Sequence, residues 1–93
     1  MSSSRVEIDG TLTLDSATAT LQRGRAALAG LSAGDAVFDL GQIGAVDSAG
    51  LAVVFAWLRD AQAAGRKLTF VRPPQQLLSL AAVYGLSDLL PLA

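Results

Sequence analysis

Asp47 and Ser48 end a glycine-punctuated stretch, Gly41-Gln42-Ile43-Gly44-Ala45-Val46, and are followed at once by Ala49-Gly50 and a strongly apolar segment. A serine on a strand-to-helix turn is the arrangement of a nucleophile elbow, whose chemistry is acyl transfer. Here Val46 occupies the place of that motif's first glycine, and the chain has no histidine to act as base. A serine hydrolase therefore fails for want of a proton acceptor. The phosphate-cradling patterns GxxxxGK[ST] and GxGxxG do not occur. With neither cysteine nor histidine, thiol nucleophiles, disulfides and the usual zinc ligand sets are also gone. Asp39 and Asp47 are too isolated in sequence to argue for general acid–base work. No catalytic residue, metal or cofactor is expected. What remains is recognition: free backbone N–H groups at a helix start carry partial positive charge, and either Asp47 or Ser48 caps them.

The elements that would position this cluster follow from the pattern. Arg5–Asp9 alternates polar and apolar residues, Asp9-Gly10 is a turn pair, and Thr11–Leu14 alternates again, which predicts a β-hairpin. Ser16 is placed to cap a helix reaching Ala29, with Leu21, Gly24, Leu28 and Leu31 on one face. Ala36–Leu40 is nearly continuously apolar, as a buried parallel strand would be. A second helix is expected over Ala49–Ala64, stopped by Gly65. Leu68–Val71 makes the last strand. Pro73-Pro74 then opens a third helix, Gln75–Tyr84, with Leu77, Leu80, Ala81 and Tyr84 inward and Gly85 at its exit. A short turn over Ser87–Leu90 precedes Pro91. The order β-β-α-β-α-β-α predicts an α/β domain with a four-stranded, mostly parallel sheet, its first strand antiparallel.

The second helix is apolar on more than one side. Leu51, Val54, Phe55 and Leu58 make a core face, while Val53, Trp57 and Ala61 make a second stripe. That stripe is either wedged between sheet and neighbouring helix or exposed to a partner, with Trp57 as its anchor. Arg59, Arg66, Lys67 and Arg72 sit near helix or strand ends, as solvated surface or as a weak electrostatic contact for an acidic partner.

Composition bounds the rest. Ninety-three residues, 52% hydrophobic and 16% charged, suit one domain over 1–93 with its own core. A net charge of −1 with scattered basic residues argues against nucleic acid. The longest apolar run, Gly50–Leu58, is about half a membrane span, and Met1–Arg5 is not followed by a signal-peptide apolar region. No direct membrane insertion is expected. The high hydropathy for so small a domain implies a partner covering part of its surface.

Val37-Phe38-Asp39-Leu40, followed by Val46-Asp47-Ser48-Ala49-Gly50-Leu51, resembles the strand, loop and D-[ST]-x-G-L helix start of STAS domains. The Pro-containing loop before the third helix and the Tyr84-Gly85-Leu86 exit are similar to that family too. The resemblance implies a non-enzymatic interaction module whose partner-binding surface includes Asp47, Ser48, Ala49, Gly50 and Leu51, beside Val53 and Trp57 of the adjoining helix. In the anti-sigma-factor antagonists of the family, a kinase phosphorylates the serine just before the motif glycine. That position is Ala49 here, so no phosphoacceptor is expected there, and Ser48 is the one hydroxyl beside it. The Ala49 departure resembles the small STAS subunits of Mla-type phospholipid-transport ABC systems. This likeness implies an ATPase subunit of an ABC transporter as partner and a cytoplasmic location, peripheral to the inner membrane through that complex. The alternative it leaves is an anti-sigma-factor antagonist or related partner-switching regulator.

Overall fold

The computed structural model describes residues 4–31 and 34–93. In chain order the elements are β1 (Ser4–Leu12), α1 (Ala17–Ala29), β2 (Ala36–Val46), α2 (Ser48–Ala63), β3 (Leu68–Val71) and α3 (Gln75–Val83), then a 3-10 turn over Ser87–Leu89. The sheet has the order β1-β2-β3, and both pairings are parallel, aligning Ser4 with Ala36 and Ala36 with Leu68. The C-terminal stretch lies along the outer edge of β3. Phe70 N–H donates to the Pro91 carbonyl and the Ala93 N–H donates to the Phe70 carbonyl, both at 2.9 Å.

Two expectations about the strands are corrected. The hairpin does not form, and the sheet has three parallel strands in place of four with an antiparallel first member. The Asp9-Gly10 pair does not reverse the chain. Gly10, at φ 101°, lies within a β1 whose register against β2 shifts on both sides of it, as at a bulge. Arg23 of α1 fixes that bend, donating to the Asp9 carboxylate at 2.8 Å and to the Asp9 carbonyl at 2.6 Å. Thr11 and Leu12 therefore continue the first strand, and Leu14 is left exposed in the connection to α1. The second correction concerns Gly41–Val46, expected as a loop. It extends β2, with Gln42, Ile43 and Val46 paired to Asp9, Gly10 and Leu12.

Alternation along the strands separates two faces. Ile8, Ala36, Phe38, Leu40, Leu68 and Phe70 join one hydrophobic core with residues of all three helices. Trp57 of α2 is fully buried at its centre, edge-on to Phe38 at 5.3 Å, and Phe38 meets Phe70 at 6.3 Å. The indole N–H donates to the Leu21 carbonyl of α1 at 3.1 Å. Gly24 is what lets α1 come so close, since any Cβ there would overlap the indole ring. The stripe containing Val53 and Trp57 is thus the wedged interior face of α2, and the exposed-anchor alternative is overturned. Tyr84, expected to face inward, is instead exposed just beyond the end of α3.

Ser16 stands at the N-cap position of α1 without capping it. Its hydroxyl turns back, donating to the Thr11 carbonyl at 2.9 Å and accepting from the Thr13 N–H at 3.1 Å, so it secures the turn after β1.

Candidate partner-docking site

The site is built where β2 ends. Asp47 N–H donates to the Leu12 carbonyl at 2.9 Å, carrying the sheet pattern one residue past Val46 before the chain turns into α2. Asp47 itself, in extended backbone, is the N-cap. Its Oδ1 accepts from the N–H groups of Ala49 at 2.9 Å and Gly50 at 3.3 Å, and its Oδ2 accepts from Leu14 N–H at 3.0 Å. The Leu14 contact, with those of Gly50 and Ala49, holds the carboxyl below its ordinary value against the opposing effect of burial. One side chain thus ties together the connection after β1, the end of β2 and the start of α2. Gly50 completes the junction. It packs directly on the Leu12 backbone, and a Cβ there would overlap the Leu12 carbonyl oxygen.

With Asp47 as the cap, Ser48 is released from that role. It is exposed at the first position of α2, and its hydroxyl makes no hydrogen bond among the described residues. The neighbouring Asp47 carboxylate is committed to three N–H groups. Of the other sequence candidates, Ala49 is half-buried, while Gly50, Leu51, Val53 and Trp57 are buried in the fold and support the surface from beneath.

A surface that the sequence reading missed adjoins Ser48. A groove of about 460 Å³ runs between Val46-Asp47-Ser48 and α3, whose Gln76, Ser79, Leu80 and Val83 line the far wall with Tyr84 beyond them. Val83 and Tyr84, adjacent in sequence, are 79% and 57% exposed at the rim of this groove. Gln76 ties α3 to the end of β2: its Oε1 accepts from Val46 N–H at 3.1 Å, at a part of β2 that the four-residue β3 does not reach. The available signal was apolar residues at the C-terminal end of α3 in excess of what Leu77 and Ala81 bury.

The other carboxylate in the neighbourhood behaves differently. Asp39 faces away from the core yet is only 5% exposed in its side chain. It accepts from Arg5 at 2.7 Å, from Arg72 Nε and Nη2 at 2.9 and 3.0 Å, and from Gly41 N–H at 2.9 Å. These contacts, Arg72 foremost, hold it far below the usual carboxylate range although burial opposes them. Glu7 lies 3.5 Å from Arg72 and completes a charge-balanced cluster. Arg72 takes a left-handed backbone conformation, φ 52°, in the turn that leads into α3.

This architecture, a helix-covered sheet with a capped D-S-A-G-L helix start beside a groove, defines a STAS domain. The family described as "Mlab, STAS domain" matches residues 1–91, and the chain belongs to that family. Among curated proteins it is 41% identical over 51 residues to the intermembrane phospholipid transport system binding protein MlaB of Haemophilus influenzae, a match covering 55% of this chain. The match spans about half (49%) the length of that relative. Among solved structures, the anti-sigma factor antagonist SpoIIAA in its unphosphorylated form superposes with a TM-score of 0.67, covering 98% of this chain and 79% of that one. At 15% identity this likeness is one of fold. Among the described residues, no helix is long and apolar enough to cross a membrane.

Proposed function

We propose that this chain is a non-enzymatic STAS subunit that binds the cytoplasmic ATPase subunit of an Mla-type phospholipid-transport ABC complex and supports its assembly or activity. The observation that carries the reading is the Ser48 groove. An uncommitted hydroxyl stands at a firmly capped helix start, opposite an α3 wall whose Val83 and adjoining Tyr84 are exposed. A partner segment laid there covers Val83 and Tyr84 and meets the Ser48 hydroxyl. The Haemophilus influenzae relative, named for an intermembrane phospholipid transport system, supplies the direction. In this reading the chain is cytoplasmic and reaches the inner membrane only through its partner. The partner-switching alternative draws on a likeness of fold alone, and Ala49 carries no hydroxyl at the position that such a switch phosphorylates.

The test is co-purification with the cognate ATPase subunit. Ser48→Asp places a second carboxylate beside Asp47 and should weaken capture roughly tenfold or more, as like-charge insertion at an interface does, while the protein stays folded. Val83→Glu should act in the same direction. If both variants capture the ATPase as wild type does, this groove is not the docking surface.

A further inference from the structure

The chain holds seven Lys and Arg residues. Four of them, Arg5, Arg23, Arg25 and Arg72, are paired with carboxylates at 2.6–3.5 Å. The remaining three, Arg59, Arg66 and Lys67, have no ion-pair partner among the described residues, and all three line one groove of about 500 Å³ at the C-terminal end of α2. In a chain of net charge −1, its unpaired positive charge is thus gathered in one place. The groove floor is apolar: Leu68 is buried, Phe55 and Leu58 are half-buried, and Leu89, 60% exposed, forms the outer wall.

Complementing the negative end of the α2 dipole accounts for cations at Arg66 and Lys67. It does not account for Arg59, seven residues before Arg66, nor for apolar side chains left half-open between them. Intramolecular contacts leave Arg59 and Lys67, both exposed, available. Arg66 turns inward, spending Nη2 on the Leu31 carbonyl at 2.7 Å with Nη1 buried, whereas Asp35 takes the Lys67 backbone N–H at 3.3 Å but not its ammonium.

We infer that this groove is a second docking surface, for an acidic protein segment that inserts an apolar side chain between the exposed Arg59 and Lys67. The shape selects the occupant. A membrane surface is met by apolar residues that protrude together, whereas here Phe55, Leu58 and Leu68 are recessed and Leu89 alone stands out beside the cations. A side chain flanked by carboxylates fits both features. The surface shares no lining residue with the Ser48 groove, and Arg59 stands about 16 Å along α2 from Ser48. Both grooves can therefore be occupied at once, and this inference stands independently of what the Ser48 groove binds.

The test is an NMR titration of the full chain with a short peptide of glutamates around a central Leu-Phe pair. Expected are amide shifts at Leu58, Gln62, Lys67 and Leu89 and binding that weakens steeply with salt. The paired charge reversal Arg59→Glu with Lys67→Glu should reduce affinity roughly tenfold or more. Its melting temperature should hardly move, since both side chains are exposed. Equal binding by a control peptide with every glutamate replaced by glutamine, or by one with alanines replacing Leu-Phe, overturns the inference. So do shifts confined to the Ser48 groove, or pelleting with phosphatidylglycerol vesicles that needs Arg59 and Lys67 while the peptide leaves the spectrum unchanged.

Discussion

Phe38 and Asp39 are neighbours on β2, point to opposite faces of the sheet, and are both withdrawn from water. The means differ. Phe38 is buried by apolar mass, beneath α2 and edge-on to Trp57 and Phe70. Asp39 is buried by two arginines lying across it, which themselves remain 60% and 53% exposed. The helix-covered face is therefore intolerant of changes in shape, and the other face of changes in charge. A three-stranded sheet with its helices packed into one core can close the second face with ions.

The comparison predicts a graded series. Trp57→Ala should have the largest effect, about 3–5 kcal/mol for a fully buried aromatic. That is a large part of the stability of a domain this size, and denaturant unfolding should show a greatly lowered midpoint or no folded baseline. Retention of a wild-type transition would break the comparison at its stronger side.

Acid should probe the ionic side. Asp39 and Asp47 are both depressed below the ordinary carboxylate value in the folded chain. Their contribution is complete above the unfolded value, roughly pH 4, and is lost as pH falls towards the folded values. Melting temperature should be flat through neutral pH and drop below about pH 4. Asp39→Asn should lower the melting temperature at pH 7 and remove part of the acid-induced fall, because Arg5 and Arg72 then face a neutral group. A variant as acid-sensitive as wild type would mean that Asp39 is not the group responsible.

Arg5→Ala removes one exposed arm and should cost about 0–1 kcal/mol, less at high salt. Ser48→Ala should be smallest, within about 0.5 kcal/mol by thermal melt, since Ser48 is exposed and Asp47 is the cap. A larger loss would assign Ser48 a structural bond.

Much of this fold is legible in local pattern. The helices appear within one or two residues of where periodicity and caps put them, as do β3 and the start of β2. The Asp47-Ser48-Ala49-Gly50-Leu51 junction stands at a helix start as expected, because its cap and its close-packed glycine are local features. The misreadings share a cause in distant contacts. Asp-Gly serves a hairpin or a bulge equally, and Arg23, on another element, decides between them. Gly41–Val46 is a strand only because β1 lies beside it. Trp57 reads equally as a wedged residue or an exposed anchor until Gly24 brings α1 over it. Asp39, Arg5 and Arg72 meet only through a parallel register that links residues more than thirty positions apart.

That register has a kinetic consequence. Each sheet pairing closes a segment of about thirty residues containing a whole helix, so no pair of adjacent strands can zip from a tight turn. Loop-closure entropy must be met before the first sheet hydrogen bond forms, and folding should be slower than for a hairpin-bearing sheet of equal length. Until β1 and β3 arrive, β2 presents Val37, Phe38, Leu40 and Ile43 with both edges bare, a template for pairing between chains. The yield of folded protein should accordingly fall as refolding concentration rises, well before the native state itself loses solubility.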